Sequence, residues 1–148
     1  MLSKQEIQKW PVLTKVKDIT IFPKIYPKKA SKAIKSYGDK ALKNEDILLL
    51  VDNTILRSSK QGMFLTEDRL FAFSAFSGKF SIPLKDITKL RPLIEKRVKV
   101  PIFGFEINDN YFVSCPGLAE VITEGEMSKT GLEILLLVLA TIIQCEIV

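Results

Sequence analysis

DNTILRSSKQGMFLTEDRLFAFSAFSGKFSIPLKDI, residues 52–87, is the stretch of sequence that decides the fold. The stretch holds three short runs of β-forming residues: the first is continuously apolar, the second alternates imperfectly and the third alternates cleanly with a period of two, patterns typical of β-strands. The runs cover residues 62–66, 69–76 and 79–84. The pairs Glu67-Asp68 and Ser77-Gly78 separate them and suit tight turns, since Gly78 is free to adopt a positive φ. The stretch therefore predicts a three-stranded β-meander, with Pro83 at a sheet edge or beside a bulge because proline lacks an amide donor.

A second hairpin and a long helix are predicted in the C-terminal half. Alternation over residues 97–108, the polar turn at residues 108–110 and the β-forming residues 111–115 indicate a hairpin over residues 96–115. Residues 132–145 are apolar almost all round, which predicts a helix buried on several faces. Thr130 and Glu133 fit a capping box at its start, with Ser128 as the alternative N-cap. Its uninterrupted apolar run is far shorter than the roughly 20 residues that a membrane span needs.

The first 44 residues predict two helices. Ser3 and Glu6 fit the capped start of a short helix that ends near Trp10, because a proline follows. Residues 28–43 then form an amphipathic pattern with Gly38 inside it, where the helix can break. Two later segments stay open at this point. Residues 45–51 fit a short helix or a buried strand, and residues 85–93 fit a helical turn or an irregular crossover.

The strongest electrostatic feature is the polar side of the segment 28–43. It carries the lysines Lys28, Lys29, Lys32, Lys35 and Lys40. Such a row is either a solvated helix surface or a site for an anionic partner. The segment has one aromatic residue and no arginine, which disfavours nucleic acid as the partner. Its apolar side is rich in alanine and has no bulky residues for membrane insertion.

The composition limits the chemistry that this chain can perform. The 148 residues form an ordinary globular composition with a formal net charge of +5 and no histidine. Without histidine, the usual general base of serine and cysteine nucleophiles is missing. Cys115 and Cys145 alone cannot build a usual zinc site, and both are expected to be reduced thiols. We therefore predict no catalytic residue, no metal site and no cofactor. The N-terminal sequence has no apolar signal core, which predicts a cytoplasmic protein.

The meander resembles the pleckstrin-homology-like domains of bacteria and the related GRAM-type domains. The resemblance is carried by Asp52-x-Thr54, Ser59-Lys60-x-Gly62-Met63-x-Leu65-Thr66, Arg69-Leu70 and Ile82-Pro83-Leu84-x-Asp86-Ile87. It covers about a quarter of the chain and implies an α+β fold, in which a curved antiparallel sheet, a partly open barrel, is packed by a C-terminal helix. The expected organisation is an N-terminal helical extension, residues 1–44, packing on a main domain, residues 45–148.

The resemblance and the composition together predict a non-enzymatic protein-binding module. An adaptor, or a bacterial immunity protein that binds and blocks a toxin domain, fits this description. The basic charge favours a partner with an acidic face. The alternative is peripheral binding of anionic lipid headgroups through the lysine-rich helix. In lipid-binding pleckstrin-homology domains, cations near the first hairpin loops hold inositol phosphates, and the nearest candidates here are Arg57, Lys60 and Lys79.

Overall fold

The computed structural model of the protein describes residues 1–53, 60–74, 78–95 and 102–148, and within these ranges the chain is an α+β fold. The helices are α1 (Lys4–Gln8), α2 (Pro27–Tyr37) and α3 (Gly131–Ile143). The strands are β1 (Ile19–Ile21), β2 (Leu49–Asp52), β3 (Gly62–Leu65), β4 (Arg69–Ser74), β5 (Gly78–Pro83), β6 (Lys89–Glu95), β7 (Ile102–Ile107), β8 (Tyr111–Ser114), β9 (Val121–Glu124), β10 (Met127–Thr130) and β11 (Glu146–Ile147).

The predicted meander is confirmed as β3, β4 and β5 of a five-stranded antiparallel sheet with the order β1-β2-β3-β4-β5. Gly78 opens β5 with a φ of 68°, whereas residues 75–77, which hold the end of the second predicted strand and the start of the predicted turn, lie outside the described ranges. Pro83 lies on β5, the edge strand of the sheet, where its missing amide interrupts no ladder between inner strands. Residues 49–52 are the strand β2, which settles the open interpretation of residues 45–51 in favour of a strand after a 3-10 turn at Asn44–Asp46.

The second hairpin is confirmed over its described residues as β7 and β8, while residues 96–101 lie outside the described ranges. Its turn uses Asn108 and Asp109 with φ values of 54° and 59°, the left-handed region that Asn and Asp tolerate. The side-chain oxygen of Asn108 also accepts hydrogen bonds from the amides of Thr88 and Lys89 at 2.9 and 3.2 Å. The turn is thereby fixed to the start of β6.

The alternative of an irregular crossover for residues 85–93 is wrong, and that of a helical turn holds only at the start of the segment, because most of it is the strand β6. β6 pairs antiparallel with β7, and only Leu84–Asp86 forms a 3-10 turn. Pro92 is compatible with the strand because the amide of Asn108 bonds to the carbonyl of Lys89. Bonded and non-bonded positions alternate along an antiparallel ladder, and Pro92 occupies a non-bonded position. Its nitrogen points away from β7, so no hydrogen bond between β6 and β7 is lost.

The C-terminal helix is confirmed as α3, and its capping box forms as predicted. The Thr130 hydroxyl accepts from the Glu133 amide at 3.2 Å, and the Glu133 carboxylate accepts from the Thr130 amide at 3.2 Å. Ser128 belongs to β10 instead. α3 is buried in one core with the inner faces of both larger sheets, which explains its apolar circumference. Among the described helices, none combines the length and the apolar character that a bilayer crossing requires.

The sheets do not close into a barrel over the described residues. The ladders form the five-stranded sheet, the sheet β11-β6-β7-β8 and the hairpin β9-β10. The short strand β11 pairs parallel with β6, the exception in an otherwise antiparallel arrangement. The division of the chain at residue 44 stays a prediction. Within residues 1–44, β1 pairs with β2 and so belongs to the first sheet.

The five-stranded sheet is buried on both faces along β2 and β3, which places α2. Its inner face, with Met63, Leu65 and Leu70, packs against the main core. Its outer face, with Leu50 and Phe64, is covered by α2 in a second core cluster. A strand whose successive residues are all buried has a neighbour on each face. The helix that carries the lysines is therefore fixed to the sheet along its whole apolar side.

Candidate functional site

The apolar side of α2 is fully used in packing. It contributes Ala30, Ala33, Ile34 and Tyr37, all buried, to the second core cluster. The ring of Tyr37 lies 5.3 Å from the ring of Phe64 between centroids, a tilted aromatic contact. Because this side faces the sheet, the opposite side of α2 faces solvent and is held rigidly in place.

Three of the predicted lysines lie together on the solvent side of α2. At about 100° per residue, Lys28, Lys32 and Lys35 fall within roughly 60° of the helix circumference, opposite the buried side. Lys28 and Lys35 are exposed and Lys32 is half-buried. A rise of 1.5 Å per residue places the first and last of them about 10 Å apart along the axis. They form a compact row of three cations.

Lys60 lies beside this row. The hydroxyl of Ser36 on α2 donates a hydrogen bond of 2.5 Å to the carbonyl oxygen of Lys60, and Lys60 is exposed. The segment before β3 is thereby fixed to the flank of the helix. We call Lys28, Lys32, Lys35 and Lys60 the basic face. Arg57, the other predicted loop cation, lies outside the described residues.

Lys29 has a different role from its neighbours. Its ammonium nitrogen lies 3.7 Å from a carboxylate oxygen of Asp52, a buried residue at the end of β2. The amide of Asp52 donates to the carbonyl of Asp18 at 2.9 Å, so the side chain of Asp18 is also nearby. Burial, followed by the negative charge of Asp52, raises the pKa of the Asp18 carboxyl, and Lys29 opposes this effect. Lys29 therefore compensates buried acidic groups and anchors the helix.

Lys40 lies outside the helix, because the helical part of the pattern over residues 28–43 ends at Gly38, the position where the sequence allowed a break. α2 ends at Tyr37 with Gly38 as its C-cap, and the side chain of Asp39 accepts from the amide of Ala41 at 3.0 Å in a local turn. A Cβ on Gly38 would lie 2.9 Å from the ring of Phe64, so glycine is the residue that fits where the chain leaves the sheet. Lys40 is exposed in the following loop.

Tyr26 was not predicted as part of the site. It is the N-cap residue of α2, it is 64% exposed, and its ring lies 5.9 Å from the ammonium group of Lys29. Exposed tyrosines are common at the centre of protein interfaces, since they bury much area with few rotatable bonds. The sequence places Tyr26 immediately before the helix start at Pro27, and that position alone does not distinguish a buried from an exposed ring.

The basic face is electrostatically unfavourable within its own helix. α2 contains no acidic residue, and its first turn holds Lys28 and Lys29, where the macrodipole disfavours cations. Lys28 and Lys32, four residues apart, also repel each other. Lys35, in the last turn, is favoured by the dipole. The first turn of α2 is thus occupied by residues that local stability alone would not select.

Burial also affects the pKa values of the two cysteine thiols and of the Tyr37 phenol. Burial raises the pKa of the Cys115 thiol, and burial chiefly raises that of Cys145. Both cysteines are free. The hydroxyl of Tyr37 is buried and has no hydrogen-bond partner among the described residues, and burial and the charge of Asp52 raise its pKa. The described part of the chain contains no group of three or more His, Cys, Asp or Glu residues that could hold a metal ion.

Comparison with protein-family models, with curated proteins and with solved structures gives no match to this chain. The geometry of the basic face is therefore the evidence from which the function of this protein is inferred.

Proposed function

We propose that this protein is a non-enzymatic binding module whose basic face contacts an acidic surface of a partner protein. An adaptor, or a cytoplasmic immunity protein that blocks a toxin domain by occupying its surface, is the corresponding biological role. The partner's carboxylates supply the negative charge that α2 lacks. Tyr26 at the start of the helix adds an aromatic contact beside the lysines.

The observation that carries the proposal is that the lysines of the basic face destabilise the helix on which they lie. Lys28 opposes the macrodipole and also repels Lys32, and each effect costs a few tenths of a kcal/mol or more. Local choices that conflict with the stability of an element are typical of functional sites. An acidic partner reverses both effects, because its charges lie next to the N-terminal turn and between the lysines.

The rigidity of α2 favours a protein over a lipid surface as the partner. Membrane-surface helices insert a bulky apolar side below the headgroups. In α2 that side is buried in the second core cluster, and the solvent side consists of lysines and small polar residues such as Ser31. An interface with a protein needs no insertion, and a rigid helix loses little conformational entropy on binding.

The order of elements supports the proposal of a pleckstrin-homology-like scaffold. The meander β2-β3-β4-β5 is followed by the meander β6-β7-β8 and then, after the β9-β10 hairpin, by the helix α3. The resemblance of residues 52–87 implies a curved antiparallel sheet packed by a C-terminal helix, and the observed order of strands followed by α3 is compatible with that scaffold. Such scaffolds host many binding functions, so the function is argued from the site.

Capture with matched charge variants tests the proposal. The double variant Lys32→Glu with Lys35→Glu reverses two charges on the basic face. The control, Lys9→Glu with Lys85→Glu, changes the net charge equally at two exposed lysines elsewhere. We expect the wild type and the control to retain one stoichiometric partner from native lysate, eluted by salt, and the test variant to lose it. Equal retention by both variants would contradict the assignment of the face.

Sedimentation with vesicles tests the alternative, in which the basic face binds anionic lipid headgroups instead of a protein. Vesicles with and without anionic lipid are mixed with the wild type and with the same two double variants. We expect little cosedimentation with either composition at physiological salt. Binding that increases with anionic lipid and is lost only in the test variant would instead assign the basic face to lipid headgroups.

A further inference from the structure

Among the described residues, the edge strand β5 has backbone hydrogen-bonding groups that pair with no other strand. β5 is the last strand of the five-stranded sheet, and five of its six residues, including Lys79 and Ser81, are exposed or half-exposed at the surface. The amide of Leu84 donates to the carbonyl of Asp68 at 2.8 Å, which fixes the phase of the β4–β5 ladder. By alternation, Phe80 and Ile82 bond to β4, whereas the amides and carbonyls of Lys79 and Ser81 point outward.

A groove runs alongside this open edge on the outer face of the sheet. It has a volume of about 520 Å³ and lies between the end of α2 and the strands β4 and β5. Its lining residues are Tyr37, Gly38, Asp39, Arg69, Phe71, Lys79, Phe80 and Ser81. Because α2 covers the middle of the sheet and not β5, the groove leaves the outer face of β4 and β5 open to side chains of a strand added at the edge.

The charged side chains and aromatic rings around the edge of β5 determine which kind of added strand can bind there. On the outer face, Arg69 donates to the hydroxyl of Ser81 at 3.1 Å, and the ammonium of Lys79 lies 5.4 Å from the ring of Phe73. On the inner face, the ring of Phe80 stacks on Tyr111 at 4.8 Å, and both residues are half-buried. One face of an added strand would therefore meet cations and the other would meet aromatic rings.

We infer that β5 binds an extended peptide segment by strand addition, with acidic and apolar side chains in alternation. The backbone of the segment pairs with the four outward groups of Lys79 and Ser81, two donors and two acceptors. Its acidic residues lie beside Lys79 and Arg69, and its apolar residues lie beside Phe80. A second copy of this chain fits less well, because pairing two β5 edges would gather both sets of cations without counter-charges. This site is separate from the basic face and does not depend on it.

Titration with a defined peptide tests the inference. The probe is an acetylated, amidated heptapeptide of alternating Glu and Val, and a Lys–Val heptapeptide is its charge control. Ser81→Pro removes one outward amide, and the strand already accommodates Pro83 in the same phase. Ser81→Ala removes only the hydroxyl and keeps the amide. We expect binding of the acidic peptide to be roughly tenfold weaker in Ser81→Pro than in Ser81→Ala, the loss typical of one backbone hydrogen bond.

Amide hydrogen exchange locates the contact and remains informative if peptide affinity is weak. In the free protein, the amides of Lys79 and Ser81 should exchange quickly and those of Phe80 and Ile82 slowly. The acidic peptide should slow exchange at Lys79 and Ser81 only. Slow exchange of these two amides without peptide, equal binding by both Ser81 variants, or equal binding of the Lys–Val peptide would overturn the inference. A concentration-dependent dimer that Ser81→Pro abolishes would also overturn it, in favour of a second copy.

Discussion

Charge reversal at Lys28 should stabilise the protein, although it removes a proposed binding residue. Lys28 lies in the first turn of α2, a turn without acidic residues. Glutamate at this position exchanges an unfavourable interaction with the macrodipole for a favourable one. It also exchanges repulsion of Lys32 for attraction at the i,i+4 spacing. Together these changes are worth about 1.5 kcal/mol in the free energy of unfolding, at low ionic strength.

The matched control is Lys35→Glu, at the other end of the same helix. Lys35 lies in the last turn, where the macrodipole favours a cation, so reversal there has the opposite sign. A new attraction to Lys32 offsets part of the loss, which leaves a net destabilisation of about 0.5 kcal/mol. Each variant removes one positive and adds one negative charge, so effects of global charge cancel in the comparison.

Urea unfolding of both variants measures the difference directly. We expect the two free energies of unfolding to differ by about 2 kcal/mol at low salt, with Lys28→Glu the more stable. In about 1 M salt the difference should fall to less than half, because the Debye length shortens to about 3 Å. Shifts of the same sign and size in both variants would refute the dipole argument. If both variants are destabilised equally, the lysines of the basic face stabilise α2, and no binding partner is needed to explain them.

Three further predictions test the fold around the site. Burial raises the pKa of the Asp18 carboxyl, so its charged form destabilises the folded state at neutral pH. Asp18→Asn should therefore raise stability at pH 7, and urea titrations at several pH values should show the gain vanish below 3.8, the ordinary pKa of the group. Gly62 has a φ of 142°, and its added Cβ would lie 2.0 Å from the carbonyl oxygen of Val51, whereas Gly78 has a φ of 68° and open space. Gly62→Ala should cost more than about 3 kcal/mol and Gly78→Ala about 1 kcal/mol, and equal losses on thermal unfolding would contradict the register of β2 and β3. Tyr37→Phe removes a buried hydroxyl without a partner in the described structure and should leave the melting temperature unchanged or raise it slightly; a loss above about 1 kcal/mol would reveal a hydrogen bond there.

The strands of the meander could be predicted because each follows a local pattern. Alternation, turn residues and a proline at the edge fixed β3, β4 and β5. The burial of both faces could not be predicted. In β4, the residues Leu70, Phe71 and Ala72 are all apolar, so the pattern does not distinguish an inner from an outer face. The outer face is covered by α2, which is distant in sequence, so the local pattern of β4 does not reveal that it is buried.

The elements missed by prediction are those with weak or non-local signals. In β6, only Leu90 is buried, so the strand shows no period-two pattern. β11 has two residues, and its pairing with Lys89 and Leu90 joins the end of the chain to its middle. The hairpin β9-β10 turns at Gly125, with a φ of 62°, within a polar sequence that resembles a loop. Such pairings depend on tertiary structure rather than on local preference.

The candidate site was partly visible in the sequence. The helical spacing of Lys28, Lys32 and Lys35 places them on one face without reference to the rest of the fold. The separate role of Lys29 was not visible, because its partner Asp52 lies on β2 and becomes a neighbour only when α2 packs on the sheet. The position of Lys60 depends likewise on a hydrogen bond across the fold.

Site-specific photo-crosslinking tests the central claim, that the basic face binds a protein, most directly. A photoreactive phenylalanine derivative replaces Lys32 in one variant and the exposed Lys85 in the other. Both variants are irradiated in native lysate, and crosslinked products are identified by mass spectrometry. We predict that position 32 yields one dominant protein adduct with an acidic contact surface, reduced by high salt, and that position 85 does not. Equal adducts from both positions, or lipid adducts alone from position 32, would contradict the account.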